Sequence, residues 1–160
     1  MITQENKEDD RIKAFKPRQS HSEMQGKLVF DSIPGEVFLS KRAFIDASRK
    51  GIPGQWVKSI INATGFREMF VSILNVSSAN LNRVYRKKSL DKEASEEVLD
   101  AVRLLNQATE VWESRELASE WLRSPVPALG GEKPINLFDT FEGRRWVSQV
   151  LNKIEHGDFS

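Results

Sequence analysis

The sequence predicts an all-α fold, and three observations carry that prediction. Apolar residues recur at spacings of three and four through most of the chain beyond its polar first quarter. Cap-forming residues stand just before these stretches, and glycines or prolines stand just after them. No strand pair and no internal repeat is found.

Residues 1–26 are polar, charge-rich and aperiodic apart from Ile12 and Phe15, which reads as a tail that is flexible or ordered by a partner. KLVFDSIPGEVFLS follows as a short extended or irregular lead-in, broken at Pro34-Gly35. Ser40 is placed to cap a helix through KRAFIDASRK, which Gly51 ends. Pro53 suits the first turn of the next helix, GQWVKSIINAT, and Gly65 closes it. Phe66, Met69, Phe70, Ile73 and Leu74 then form a buried stripe until Asn75 and Val76 break the pattern. Ser77 or Ser78 caps a new helix whose inward face is Leu81, Val84 and Tyr85. These are two short helices joined by a tight turn.

A long amphipathic helix comes next, marked by Val98, Val102, Leu105, Thr109 and Trp112; its N-terminal half is acidic, as the helix dipole favours. RELASEWL is a shorter helix ending before Pro125. Beyond a loop, PINLF makes one helical turn with Pro134 in its first turn. The last helix starts at Asp139 or Thr140, with Glu142 placed to complete an Asp-x-x-Glu capping box. Its apolar stripe is Trp146, Val147, Val150, Leu151 and Ile154, and Gly157 stops it. Trp121 and Trp146 are read as core residues.

At 160 residues the chain is one ordinary domain or two very small ones sharing a core. No apolar run approaches the roughly 18–20 residues that span a bilayer. MITQENKEDD is too acidic for a secretory signal, so a cytoplasmic location is expected. The absence of cysteine excludes disulfides, thiolate metal sites and cysteine nucleophiles. His21 and His156 have no metal-ligand spacing, and Ser77-Ser78 has no His or Lys partner nearby. Gly130-Gly131 lacks the strand and glycine spacing of a phosphate loop. A solvated helix face explains acid pairs such as Glu96-Glu97. The chain is therefore not expected to be an enzyme or to hold a metal or cofactor.

The formal net charge of +1 hides a strong segregation. Residues 41–90 carry ten Lys or Arg against two acids, whereas residues 91–120 carry nine acids against three bases. A basic block of this kind is what a phosphate-binding surface requires. In a helix-turn-helix the second helix presents its first turns to base edges while basic residues meet phosphates. The corresponding candidates are Ser78, Asn80, Asn82, Arg83, Arg86, Lys87 and Lys88. A plain helical hairpin with a solvated basic face has the same pattern.

The stretch WLRSPVPALGGEKPINLFDTFEGRRWVSQVLNKIEHGDFS decides more. Trp121-Leu122, Pro125, Ala128-Leu129-Gly130-Gly131, Pro134, Leu137, Thr140, Gly143, Val147, Leu151, Ile154-Glu155 and Gly157 stand at fixed spacings over about forty residues. In these features the stretch closely resembles the C-terminal toxin-binding domain of the Xre/MbcA/ParS-type antitoxins. One departure is visible: Val126 stands where the family usually has Asn, and an extra Pro127 follows it. Upstream, residues of about 66–88 and the helix after them resemble the family's Xre-like helix-turn-helix, with Leu81, Arg83 and Leu90 in place. No motif matches residues 1–40.

The resemblance implies three regions: the tail 1–26, a helical domain 27–113 with the helix-turn-helix, and a toxin-binding domain 114–160. It implies an antitoxin of a type II toxin–antitoxin module that also represses its own operon by binding operator DNA. The usual partner is a RES-domain toxin, which consumes NAD or ADP-ribosylates a target and is blocked when the antitoxin covers its active site. A homodimer is expected, with a hetero-oligomer in the toxin complex and no membrane partner. The toxin-binding candidates are Leu129, Gly130, Gly131, Arg144, Arg145, Glu155, His156, Gly157, Asp158, Phe159 and Ser160; Arg144 and Arg145 are placed on the polar side of the last helix. The competing reading is a stand-alone helix-turn-helix regulator whose C-terminal domain only dimerises. A RES-domain gene beside this one discriminates the two.

Overall fold

The computed structural model describes residues 33–157, so the expected tail 1–26 and the candidates Asp158, Phe159 and Ser160 lie outside the described residues. Among the described residues there are seven α-helices, four one-turn 3-10 segments and no strand. The helices are α1 (Lys41–Lys50), α2 (Gly54–Thr64), α3 (Arg67–Ile73), α4 (Leu81–Arg86), α5 (Lys92–Trp112), α6 (Arg115–Leu122) and α7 (Phe141–Glu155).

Side-chain caps set most of the helix starts. Ser40 Oγ accepts the Ala43 N–H at 3.1 Å to open α1, and Asp91 Oδ1 accepts the Ala94 N–H at 2.8 Å to open α5. Ser114 does the same for α6. Gly65 ends α2 in the left-handed conformation that glycine adopts without strain.

Four local expectations are corrected. Pro53 is the residue before α2, not part of its first turn. Residues 35–38 of the lead-in form a 3-10 turn, with Ile33 and Val37 buried, in place of an extended or irregular segment. Neither Ser77 nor Ser78 caps α4; its approach is a 3-10 turn, Ser78–Asn80, with no side-chain cap bond. Of the two expected starts of α7, Thr140 is kept as the cap, its Oγ1 accepting the Gly143 N–H at 3.0 Å, but the capping box is not. With the cap at Thr140, the third helical position is Gly143, so Glu142 falls one residue short of closing a capping box.

Helix α5 is the spine of the core. Val98, Leu99, Ala101, Val102 and Ala108 are fully buried along it. It is packed by α1 and α3 from the first half of the chain and by α6 and α7 from the second. Each fully buried Leu, Val or Phe side chain contributes about 1.5–3 kcal/mol, and Phe70, Phe138, Leu81, Leu122 and Leu151 are all in that class. Two glycines set the closest helix contacts. A Cβ on Gly54 would lie 1.9 Å from Val84 O, fixing α2 against α4; one on Gly143 would lie 2.0 Å from Leu137 O, fixing α7 against the 3-10 turn Pro134–Leu137.

Trp121 is half-buried against Trp112, with ring centroids 6.2 Å apart. Trp146 is not core: it is 42% exposed. Val147, Val150 and Leu151 fill the inward face of α7, which turns Trp146 to its edge.

Candidate functional site

Two surfaces emerge. The first is built on α3, the turn after it, and α4. Asn75 takes a positive φ of 50°, and the Val76 N–H donates to Val71 O at 3.2 Å, so the chain reverses tightly after α3. Arg67 of α3 reaches across the turn, its Nη2 donating to Ser78 O at 3.1 Å and Ser78 Oγ at 3.0 Å. Leu81 and Val84 point into the core, which turns the rest of α4 outward.

Ser78, Asn80, Asn82, Arg83, Arg86, Lys87 and Lys88 are all exposed. The end of α4 is clamped to α2: the Gly54 N–H donates to Lys87 O at 2.9 Å, and Gln55 Nε2 donates to Tyr85 O at 2.9 Å. The surface therefore presents amides, hydroxyls and cations on a rigid support. Such groups can donate to base edges and to phosphate oxygens.

The second surface is built on the loop 126–132 and α7. The Val126 N–H donates to Glu132 O at 3.0 Å, while the Gly131 N–H returns to Val126 O at 3.0 Å. Gly130 and Gly131 take φ values of 67° and 81°, and both are exposed. That double positive φ closes the loop and leaves its tip bare.

Two sequence-derived candidates do not lie on this surface. Leu129 is fully buried, an anchor that seats the loop in the core. Arg144 is 3% exposed and turned inward, not on the polar side of the helix. Its Nε lies 2.6 Å from Asp100 Oδ2, its Nη2 lies 2.7 Å from Glu97 Oε2, and its Nη1 donates to Phe138 O at 2.7 Å. A charge-assisted cluster of this kind clamps α7 to α5. Arg145, by contrast, projects into solvent, with only a loose approach of 3.8 Å to Glu142.

Sequence reasoning missed the two large aromatics that this surface exposes. Phe141 is 62% exposed, and Trp146 stands beside the glycine loop, where a Cβ on Gly130 would lie 3.9 Å from its Cη2. The only signal for Phe141 is its position next to the Thr140 cap, where the side chain precedes the inward stripe. Between α5 and α7 runs a groove of about 400 Å³, lined by Arg103, Gln107, Phe141, Arg145, Ser148 and Gln149 among others. Gln107 stitches its floor, donating to Ser148 O at 3.2 Å and Asn152 Oδ1 at 2.9 Å. At the end of α7, Glu155 is half-buried, His156 is exposed with Nδ1 2.7 Å from Asn152 O, and Gly157 takes a φ of 69°.

Among the described residues, no three acidic or histidine side chains converge as a metal ion would need. None of the described helices is long and apolar enough to cross a membrane.

Comparison with known proteins bears on the second surface directly. Residues 107–157 match the family described as the antitoxin Xre/MbcA/ParS C-terminal toxin-binding domain. The chain is 34% identical over 127 residues to the Prs ADP-ribosylating antitoxin of Sphingobium sp. (strain YBL2), covering 72% of this chain and 80% of that protein. It is 25% identical over 113 residues to antitoxin Xre of Photorhabdus laumondii, covering 68% and 75% respectively.

Proposed function

The chain belongs to the Xre/MbcA/ParS-type antitoxins, and from that premise we propose that it neutralises a cognate RES-domain toxin by covering the toxin's active site with its C-terminal domain and tail. One observation carries the reading: the matched region 107–157 presents a bare glycine loop and, on α7, two exposed aromatics. Exposed aromatics flanked by a cation are the residues that anchor protein–protein interfaces. The name of the 34% identical relative, which refers to ADP-ribosylation, supports a toxin of the NAD-consuming or ADP-ribosylating class. The antitoxin then acts by occupying the cleft, not by chemistry of its own. Residues 155–160 are the inhibitory tail in this reading.

The same chain binds its own operator and represses its operon, most plainly as a homodimer that forms a hetero-oligomer with the toxin. The helix-turn-helix comprises α3 and α4, with Asn80, Asn82 and Arg83 toward base edges and Arg86, Lys87 and Lys88 toward phosphates. The support is that all seven candidates are exposed, on α4 and the segments flanking it, with the end of α4 bonded to α2.

Two measurements test these readings. Co-expression of the chain with the RES-domain protein encoded beside it rescues growth, and a chain lacking residues 155–160 folds but gives no rescue. Full protection by that shortened chain overturns the tail's role. In gel shifts with the upstream promoter, Arg83→Ala and Arg86→Ala weaken the complex by roughly 5–150-fold each, a cost of about 1–3 kcal/mol. Unchanged shifts place the DNA surface elsewhere.

A further inference from the structure

We propose that the DNA surface extends beyond α3 and α4: Arg49 and Lys50, at the end of α1, join Arg86, Lys87 and Lys88 in one phosphate-binding ridge that grips the duplex backbone beside the groove. This rests on the operator-binding reading above. Nearly forty residues separate the two basic groups in sequence, and the backbone splices them together. The Leu90 N–H donates to Ile52 O at 2.8 Å, the Gly54 N–H to Lys87 O at 2.9 Å, and Ser89 Oγ to Lys50 O at 3.1 Å.

The approach is so close that a side chain at Gly51 would put Cβ 2.1 Å from Ser89 Oγ and 2.3 Å from Leu90 O, and its φ is 85°. Beneath the splice, Ser95 Oγ accepts the Ile52 N–H at 3.0 Å and lies 3.4 Å from Leu90 O; Ile52 and Leu90 themselves are buried. The two strings of cations are therefore held rigidly side by side, not brought together by chance in a loose loop.

The charge pattern points to a polyanion. Arg49, Lys50, Arg86, Lys87 and Lys88 are all exposed, and none has an ion-pair partner among the described residues. Residues 47–54 and 81–90 contain no acid. Neighbouring acids are committed elsewhere: Asp46 holds Arg42 at 3.0 Å, and Asp91 caps α5. Arg103 and Arg144, by contrast, are matched by Asp100. Unmatched like charges on a rigid support repel one another, and that repulsion is relieved when phosphates arrive and condensed counterions leave the duplex. Because the ridge is continuous with the end of α4, it fits the backbone flanking the groove α4 would enter.

The experiment is a fluorescence-anisotropy titration of the full chain with its own promoter duplex and with a scrambled duplex, from 50 to 300 mM salt. The variants are Arg49→Ala/Lys50→Ala, the charge-preserving Arg49→Lys/Lys50→Arg, and Arg83→Ala. The alanine pair should weaken both duplexes by a similar factor, roughly 5–20-fold at low salt, and lower the salt slope by about 1–2. The melting temperature should stay put, and the charge-preserving pair should bind like the unmodified chain. If Arg83→Ala weakens promoter binding while the alanine pair changes neither affinity nor slope, the ridge is overturned and the operator reading stands. If the unmodified chain binds neither duplex, the operator reading fails and the ridge fails with it. If the alanine pair weakens only the promoter complex, or the charge-preserving pair is equally weak, the contact is not electrostatic and the ridge is again overturned.

Discussion

Helices α4 and α7 turn different chemistry to solvent. On α4 the exposed residues are amides and cations with no large apolar side chain among them. On α7, Arg145 stands between Phe141 and Trp146, two exposed aromatics of the kind enriched among interface anchors. The contrast separates two kinds of recognition. Charge and amides suit a partner whose surface is phosphate and base edge, while aromatic anchors suit a protein cleft that can desolvate them. Arg144 and Arg145 repeat the contrast within one helix: adjacent residues of the same type, one an internal clamp and the other exposed to solvent.

The sharpest way to break the comparison is to unseat each helix separately. Gly54→Val drives Cβ into Val84 O and loosens α4; Gly143→Val drives Cβ into Leu137 O and loosens α7. Each is expected to cost about 3 kcal/mol or more, because backbone lies in the way and a flexible side chain does not. Chemical denaturation should show both losses. If the weaker of the two folds on cooling, Gly54→Val should impair promoter binding first and Gly143→Val toxin binding first.

Next in size is Arg144→Leu. It leaves Glu97 without its cation, Asp100 with Arg103 alone, and Phe138 O without its donor. The half-exposed Glu97 can hydrate, so the expected loss is about 2–3 kcal/mol, short of the largest values for fully buried pairs. Arg145→Ala on the neighbouring residue should move stability by less than about 0.5 kcal/mol. Equal effects from the two would mean that the inward clamp carries nothing.

The interface itself is tested by Phe141→Ala and Trp146→Ala. Each should leave the melting temperature nearly unchanged and weaken toxin affinity by roughly 10–100-fold, the range of an interface anchor. Calorimetric titration against an inactive toxin reads this directly. Affinity unchanged in both would move the toxin contact away from α7. Arg83→Ala should be silent in that titration, which keeps the two surfaces distinguishable.

These residues also show what could be read in advance. The helices were legible because periodicity and caps are local: Ser40, Gly51 and Gly65 mark boundaries that the structure keeps. The outward set on α4 was legible for the same reason, since Leu81 and Val84 fix which side faces in. On α7 the stripe was right for Val147, Val150 and Leu151 but wrong for Trp146. A tryptophan at the margin of an apolar arc can face either way, and only the position of the 126–132 loop decides it. Arg144 was misplaced because its partners, Glu97 and Asp100, lie more than forty residues away on α5. Hydropathy does not reveal that a buried charge has found two partners on a distant helix. Leu129 was drawn into the surface set by its glycine neighbours, although its own side chain follows the ordinary rule for leucine.

The smallest expected effect lies at the start of α6. Glu116 is held below the usual carboxylate range, first by a hydrogen bond from its own backbone N–H and then by the Ser114 hydroxyl, which donates at 3.0 Å. Its folded pKa is depressed, so the unfolded chain binds the proton more readily. The stability it contributes is thus present above the unfolded carboxylate range and is lost as the pH falls through the folded value. The carboxylate is fully solvent-exposed, so the contribution is slight. Glu116→Gln should flatten the acid limb of the stability curve a little while leaving neutral-pH binding of toxin and promoter unaltered. A change in either binding curve would mean that α6 belongs to a recognition surface after all, and the division of labour between α4 and α7 would need a third participant.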